Sequence, residues 1–192
     1  MRRITMLVVC TLALALFAGY ASASTTTPPA DTLKVNYFSN ANTAGAPDGT
    51  VRITNPGTSG GNLCAAIYVF DQDQELSECC SCLITPNGLQ TLSINSNLTN
   101  NPLTGVTLAT GSISIVSTKT VGGTCPLPVT LTPTAGLRSW GTHIQNSNFA
   151  VTETEFIDST FSSAEQGVLQ NDCYAVQLIG SGKGVCSCGT GE

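Results

Sequence analysis

Residues 63–84 read LCAAIYVFDQDQELSECCSCLI, and they carry the strongest indications of the fold. The first eight residues are all apolar and include isoleucine, tyrosine, valine and phenylalanine, which is typical of a buried β-strand. An acidic loop follows this run, and the CCSC cluster follows the loop. The segment therefore predicts a β-rich domain that disulfide bonds hold together.

An export signal precedes this segment. Two arginines come before an apolar run from Ile4 to Phe17, and the ASA triplet at 21–23 supplies the small residues of a cleavage site. The run is shorter than the roughly 20 apolar residues that cross a membrane, so we expect no membrane anchor after cleavage. We assign residues 1–23 to a signal peptide, 24–31 to a flexible leader and 32–192 to a single disulfide-rich β domain.

Cysteine usage agrees with export. Cleavage would remove Cys10, and the eight remaining cysteines are an even number, which predicts a disulfide framework formed in an oxidising compartment. The protein is therefore expected to be secreted, either extracellular or periplasmic. The cysteines assigned to disulfides are Cys64, Cys79, Cys80, Cys82, Cys125, Cys173, Cys186 and Cys188.

Two disulfide pairings are favoured. Cys64 lies a short loop away from the CCSC cluster, so we expect it to pair with one member of that cluster. Cys173 lies on a predicted helix, and a glycine-rich turn after the helix would bring Cys186 or Cys188 back towards it.

A metal site is the alternative for these cysteines. CCSC and CSC together gather five sulfurs, and four thiolates suit zinc or an iron–sulfur centre. Structural zinc sites, however, usually place about two to four residues between paired ligands, whereas these cysteines are adjacent or one residue apart. The spacing therefore favours disulfides. Redox catalysis is a further alternative, but CSC differs from the CxxC motif of thioredoxin-like proteins.

Short runs of β type recur between turn signals along the rest of the chain. This pattern predicts a mainly β fold, an antiparallel β-sandwich-like domain stapled by disulfides, with one C-terminal α-helix. The predicted strands are Leu33–Phe38, Thr50–Thr54, Leu63–Phe70, Leu89–Asn95, Gly105–Ala109, Ser112–Lys119, Val129–Thr132 and Phe149–Ile157.

Local signals predict one hairpin and two helices. Residues 85–88, TPNG, favour a tight turn and therefore a hairpin around Asn87. A capping box from Ser162 to Glu165 and apolar residues at helical spacing predict a helix over Ser163–Leu178, ended by Gly180. A short helical turn is expected over Gln74–Cys80.

The charge of the mature chain excludes some partners. Without its two N-terminal arginines the chain keeps five basic residues against twelve acidic ones, a formal charge of −7. Such a surface disfavours nucleic acid and anionic membranes. Charged residues make up only 10% of the sequence, so polar uncharged residues must keep the protein soluble.

The acidic loop offers one candidate metal site. Asp71, Asp73 and Glu75 occupy alternate positions after the apolar run, and carboxylate oxygens are the ligands that calcium prefers. The loop lacks the glycine and the terminal glutamate of an EF-hand. A solvated end of a strand is the alternative interpretation, and calcium is the one cofactor considered.

No coherent catalytic set is visible. Glu153 and Glu155 are expected on one face of a strand, which resembles a solvated face more than a glycosidase pair. His143 is the chain's one histidine, no GxSxG nucleophile motif accompanies it, and we assign it a structural or exposed position. The glycine-rich GSGKG segment follows a helix, which is the wrong end for phosphate. We therefore expect no enzymatic activity.

The chain resembles a set of uncharacterised secreted bacterial cysteine-rich proteins. The similarity lies in the pattern CxxIYVFDxxQExxxCCxC, in TPNGL at the following turn and in the C-terminal GSGKGVCSC segment. The resemblance implies secretion and a single disulfide-bonded domain. No activity is attached to that set, so it implies no catalytic residue.

Two functional classes remain. The first is a secreted, non-enzymatic structural protein of a surface or matrix, self-assembling into a homo-oligomer or fibre through the edges of its β-strands, with the leader at 24–31 as a candidate donor. The second is an extracellular module that binds a ligand or carbohydrate, with or without calcium. The two differ in whether the isolated protein assembles.

Overall fold

The computed structural model describes residues 31–100, 107–145, 148–179 and 184–189. The predicted signal peptide and residues 24–30 of the predicted leader lie outside these ranges. Within them the elements are β1 (Leu33–Phe38), β2 (Thr50–Thr54), β3 (Leu63–Asp71), β4 (Leu76–Ile84), β5 (Leu89–Ser93), a π-helical turn (Ile94–Leu98), β6 (Gly111–Lys119), β7 (Arg138–Ile144), β8 (Val151–Glu155), β9 (Ile157–Ser159) and α1 (Ser163–Ile179).

The strands form two antiparallel sheets that stack as a sandwich. The larger sheet has the strand order β4-β3-β6-β1-β9, and the smaller sheet has the order β5-β2-β7-β8. Helix α1 covers the outer face of the larger sheet. The prediction of a mainly β, sandwich-like, disulfide-stapled fold with a C-terminal helix is confirmed.

Strand β3 is buried on both faces, which explains its unbroken apolar run. Leu63 and Ile67 point into the core between the sheets, whereas Ala66 and Tyr68 point towards the helix layer. The hydroxyl of Tyr68 donates a hydrogen bond of 2.9 Å to the carbonyl of Pro128, so its polar end is satisfied within the protein. A strand that is covered on both sides needs no alternation of polar and apolar residues.

Helix α1 was predicted correctly. It begins at Ser163 and ends at Ile179, and the amide of Glu165 donates a 3.1 Å hydrogen bond to the Ser162 hydroxyl, as expected of the cap. Leu169 and Cys173 face the larger sheet. The predicted cap at Gly180 lies outside the described residues. No helix in the described ranges is both long enough and apolar enough to cross a bilayer.

The prediction of a helical turn over Gln74–Cys80 is wrong. Residues Leu76–Ile84 instead form β4, which pairs with β3 along its length. The amides of Asp73 and Glu75 each donate a 2.9 Å hydrogen bond to the Asp71 carboxylate, and these bonds turn the chain straight back as a hairpin. The alternation of β4 is hidden in the sequence because most of its residues on both faces are buried.

The turn at residues 85–88 is confirmed, but the predicted hairpin is wrong. The amide of Gly88 donates a 2.8 Å hydrogen bond to the carbonyl of Thr85, and Asn87 has a left-handed φ of 60°. The strands on either side, β4 and β5, belong to different sheets. The turn therefore leads the chain from one layer of the sandwich to the other.

Two other predicted strands are wrong, and one strand was not predicted. The described part of Gly105–Ala109, residues 107–109, is not a strand, and residues 105 and 106 lie outside the described ranges. Val129–Thr132 is not a strand either, because neighbouring prolines at 126, 128 and 133 have no N–H for a ladder. Strand β7 was missed in the sequence.

The predicted strand Phe149–Ile157 is in fact two strands with a corner between them. Strand β8 lies at the edge of the smaller sheet, β9 lies at the edge of the larger sheet, and only Phe156 separates them. Phe156 is buried in the core between the sheets. Its burial fixes the point at which the chain changes sheets.

Candidate functional site

All eight cysteines between positions 64 and 188 are paired, which confirms the disulfide framework. The four bridges are compatible with a secreted or extracellular protein. The bridges are Cys64–Cys125, Cys79–Cys173, Cys80–Cys186 and Cys82–Cys188.

The expected pairing of Cys64 with the CCSC cluster is wrong, and the strand register explains why. Cys64 stands opposite Leu83 on β4, and Cys79, which faces the same side, stands opposite Tyr68. Four residues of strand separate these two positions, about 13 Å, whereas bridged Cα atoms lie roughly 4.4 to 6.8 Å apart. Cys64 bridges instead to Cys125 in the loop after β6.

The expected pairing of Cys173 with Cys186 or Cys188 is also wrong. Cys79 points towards α1, so it meets Cys173 on the inner side of the helix. Cys80 and Cys82 point to the opposite face of β4, into the core between the sheets. They bridge to the segment 184–189, which runs beside β4.

The candidate calcium ligands do not converge. One oxygen of Asp71 already accepts the amides of Asp73 and Glu75 within the hairpin. Among the described residues, one group of acidic, histidine or cysteine side chains brings three ligand atoms together, and it consists of Cys80, Cys82 and Cys188. The geometry therefore supports the hairpin role of Asp71, while calcium binding by Asp71, Asp73 and Glu75 stays a prediction.

A groove opens where the edges of the two sheets meet beside the Phe156 corner. Strand β9 pairs with β1 only over Leu33–Val35, so within the described ranges the rest of β1 has no strand partner on that side. The resulting space has a volume of about 640 Å³, and we call it the edge groove. It is lined by Val35, Asn36 and Tyr37 of β1, Ser112 of β6, His143 of β7, Thr152, Thr154 and Glu155 of β8, and Ile157, Asp158 and Ser159 of β9.

One backbone amide in the open part of β1 is satisfied by the neighbouring side chain. The amide of Tyr37 donates a 2.8 Å hydrogen bond to the side-chain oxygen of Asn36, and the Asn36 amide group donates a 3.4 Å bond to the Thr154 hydroxyl. Asn36 thus spans the gap between the two sheets. Gly141 permits this approach, because a Cβ at that position would lie 2.9 Å from Asn36 Nδ2.

His143 lies at the floor of the edge groove and is only 3% exposed. Its Nε2 shares a 2.6 Å hydrogen bond with the Thr154 hydroxyl, and its ring packs against Tyr37. Among the described residues, Nδ1 of His143 has no hydrogen-bond partner. Burial lowers the pKa of His143, so the neutral imidazole, with one nitrogen able to accept a hydrogen bond, prevails at neutral pH.

A cluster of charges closes one end of the edge groove. The buried ammonium group of Lys34 pairs with Asp31 and Asp158, and Arg138 pairs with Asp31 through contacts of 2.8 Å. Asp31 was assigned to the flexible leader, but these bonds attach it to the domain. The cluster joins β1, β7 and β9, so it fixes the position of the groove's rim.

Thr154 and His143 form the one hydroxyl–imidazole pair that lines the groove in the described part of the chain. A hydroxyl beside an imidazole, as at Thr154 and His143, needs a third group to orient the other ring nitrogen, and in the described residues His143 Nδ1 has none. Glu153 and Glu155 both lie exposed on β8, and Glu153 pairs with Arg52. This arrangement can bind a ligand, but it holds no orienting group for a nucleophile.

Sequence reasoning missed the edge groove because its residues come from five strands. The one available signal was the alternation of Ser139, Gly141 and His143, three residues of β7 that were not assigned to any strand. No family model, no curated protein and no solved structure matches the chain. The resemblance to secreted bacterial cysteine-rich proteins stays a prediction.

Proposed function

We propose that this protein is an exported, non-enzymatic binding module that holds an extracellular ligand in the edge groove. The observation that carries the proposal is an exposed aromatic ring packed against a buried imidazole that has one unsatisfied nitrogen. Tyr37 is 57% exposed at the groove, and Nδ1 of His143 beneath it has no hydrogen-bond partner in the described part of the chain. Ligand sites in proteins combine such an apolar surface with a few well-placed polar groups in a volume of about 300 to 1,000 Å³.

The lining favours a neutral saccharide as the ligand. An aromatic ring can pack on the apolar face of a sugar ring, while hydroxyl and amide side chains such as Thr152 and Asn36 exchange hydrogen bonds with sugar hydroxyls. Glu155 and Asp158 also line the groove, so an anionic ligand would meet like charge. The proposal does not need calcium, because the groove lies apart from the hairpin at Asp71.

The experiment is a binding screen of the mature, oxidised protein against soluble oligosaccharides of glucose, xylose and N-acetylglucosamine, followed by calorimetry. Tyr37→Ala should weaken binding of any hit by about two- to tenfold, since an aromatic contact of this kind is worth roughly 0.5 to 1.5 kcal/mol. Tyr174→Ala is the matched control, because Tyr174 is equally exposed, at 57%, on α1. Equal binding by both variants would refute the assignment of the groove.

A structural, self-assembling role is the second candidate, and the open edge of β8 favours it. All five residues of β8 are exposed, and in the described ranges the strand pairs with β7 alone. By contrast, the 184–189 segment covers the edge of β4 in the larger sheet. An uncovered edge can accept a strand from a second copy. Glu153 and Glu155 count against self-pairing of β8, because charges on an edge strand discourage association.

Light scattering on the mature protein separates the two candidates. If the protein assembles through β8, its particles should be larger than one chain, and Val151→Lys should reduce their size. Val168→Lys is the control, since Val168 is similarly exposed on α1. Removing residues 24–30 tests the leader as the donated strand. A mass of one chain for the unchanged protein would reject this candidate and leave the binding module.

A further inference from the structure

Two of the disulfides lie side by side and form a single cluster of sulfurs. Cys80 and Cys82 are two residues apart on β4, so their side chains share one face of the strand. Their partners, Cys186 and Cys188, have the same spacing in the 184–189 segment. The Sγ atoms of Cys80, Cys82 and Cys188 all lie within 4.8 Å of one another, and Cys186 is bonded to Cys80.

Hydrogen bonds hold the 184–189 segment in place independently of the bridges. The amide of Cys79 donates a 2.9 Å bond to the carbonyl of Gly184, and the amide of Ser187 donates a 2.8 Å bond to the carbonyl of Asn97. The side chain of Gln90 donates a 2.6 Å bond to the carbonyl of Cys188. These bonds anchor both ends of the segment, so opening the two bridges need not separate the sulfurs.

We propose that reduction of these two bridges produces a four-cysteine site for a soft metal ion, with Zn²⁺ as the test case. Zinc bound to four thiolates has Zn–S distances of about 2.3 Å, which places the sulfurs of a tetrahedron about 3.8 Å apart. On reduction each bonded pair of sulfurs must move apart to reach that distance, whereas the sulfurs of Cys80, Cys82 and Cys188 already lie within 4.8 Å of one another and Cys186 starts bonded to Cys80. The one-residue spacing that argues against zinc in a loop is suitable on a strand, because alternate side chains converge on one face.

The chemistry balances with a dithiol as reductant. Each bridge accepts two electrons and two protons from one dithiol, which is oxidised to its own disulfide, and two cysteine thiols form. Zn²⁺ then displaces the four thiol protons and binds four thiolates. A disulfide oxidant reverses these steps: for each restored bridge it takes two electrons from two thiolates and two protons from solvent to become a dithiol, and Zn²⁺ is released as Cys80–Cys186 and Cys82–Cys188 form again.

The other two bridges provide an internal comparison. Cys64–Cys125 and Cys79–Cys173 each bring only two sulfurs together, and neither belongs to the three-sulfur group found in the described residues. Cys79 is next to Cys80 in sequence, but its side chain points to the opposite face of β4. A specific site must therefore distinguish four of the eight cysteines from the other four.

The experiment counts the thiols that zinc protects. The mature chain is reduced with a dithiol, desalted without oxygen, mixed with one equivalent of Zn²⁺ and alkylated, and peptide mass spectrometry then identifies the modified cysteines. Zinc should slow alkylation of Cys80, Cys82, Cys186 and Cys188 by about tenfold or more and leave the other four unaffected. The proposal would be overturned if zinc protected none of the cysteines, which includes the case in which the reduced chain unfolds. It would also be overturned if zinc protected all eight equally.

Matched variants locate the site. The double substitution Cys186→Ser/Cys188→Ser removes two of the four ligands and should abolish protection of Cys80 and Cys82. The double substitution Cys64→Ser/Cys125→Ser removes the same number of thiols and should retain it. If both variants behave alike, zinc is bound by scattered thiols and the four-cysteine site is wrong.

Discussion

The ring of Tyr37 packs against the imidazole of His143, with 4.1 Å between the ring centroids and 37° between the ring planes. Tyr37 belongs to the larger sheet and His143 to the smaller one, so the contact joins the two sheets where their edges part. A ligand in the edge groove would contact this pair. The state of His143 should therefore affect both the stability of the sandwich edge and the groove.

We expect the protein to lose stability as the pH falls below about 6.5, because His143 is buried. Burial lowers the pKa of His143 below its ordinary value of 6.5, so the unfolded chain takes up a proton at a higher pH than the folded chain does. The free energy of unfolding then decreases as the pH falls through 6.5 towards the lower, folded-state pKa. Thermal unfolding between about pH 7.5 and pH 5 measures the slope.

The variant His143→Gln provides the control for this slope. The chain has no other histidine, so the variant should show a flatter pH dependence over the same range. An NMR titration of the single imidazole in the unchanged protein should give a pKa below 6.5. An unaltered slope in the variant, or an imidazole pKa above 6.5, would contradict the prediction.

A second loss of stability is expected in acid, from Asp158. Burial tends to raise the pKa of Asp158, but the hydrogen bond with Lys34 and the charges of Lys34 and Arg138 outweigh burial and lower it. Stabilisation by the ionised carboxylate is therefore present above about pH 4 and is lost as the pH falls through the folded-state pKa.

The variant Asp158→Asn should unfold about 1 kcal/mol more easily at neutral pH, a modest figure because the Asp158 side chain is half exposed. It should also lose less stability than the unchanged protein between about pH 4 and pH 2. Asp172→Asn on α1 is the control, and denaturant unfolding at each pH is the measurement. Identical acid dependence in Asp158→Asn and the unchanged protein would refute the role of Asp158.

The sequence predicted those parts of the fold whose signals are local. The apolar run at 63–70 identified β3, and Ser162 with Glu165 identified the start of α1, because hydrophobicity and caps act within a few residues. The sequence did not predict β4, because both faces of this strand are buried and its residues therefore show no alternation of polar and apolar types. The disulfide pairs depend on which face of β4 each sulfur occupies, and the register with β3 sets that face.

The edge groove was beyond local reasoning for a similar reason. It exists because the chain changes sheets at Phe156, so that β9 pairs with only the first three residues of β1. Nothing in the pattern of residues 149–157 marks that corner, since one continuous strand would look the same. Tyr37 and His143 are also far apart in sequence, so their contact follows from tertiary structure alone.

The Cys79–Cys173 bridge should be the main anchor of α1. Replacing both cysteines by alanine should reduce the free energy of unfolding by about 4 kcal/mol, because the bridge closes a long loop. It should also speed proteolysis within Ser163–Ile179. The Cys64→Ala/Cys125→Ala variant removes a comparable loop but should leave cleavage of α1 nearly unchanged. Peptide mapping that joined Cys173 to Cys186 or Cys188 would contradict this connectivity.

Two glycines differ in how much space surrounds them. Gly111 is enclosed within the larger sheet, whereas Gly167 lies on the exposed face of α1. Gly111 starts β6 opposite Asp71, and a Cβ there would collide with the carbonyl oxygen of Phe70 and lie 2.7 Å from the ring of Phe38. The Phe70 carbonyl belongs to the paired backbone of β3, so relieving the collision would disrupt the sheet. Gly111→Ala should therefore destabilise the protein by about 3 kcal/mol or prevent folding.

Gly167→Ala is the matched change on α1, where a Cβ meets nothing within 4 Å. Alanine in a helix is favoured over glycine by roughly 0.5 to 1 kcal/mol, so this variant should be more stable than the unchanged protein. Urea unfolding of both variants is the measurement, with opposite shifts expected. A Gly111→Ala protein as stable as the unchanged one would mean that β3 and β6 do not pair in this register, and the positions of β1 and the edge groove would then be wrong as well.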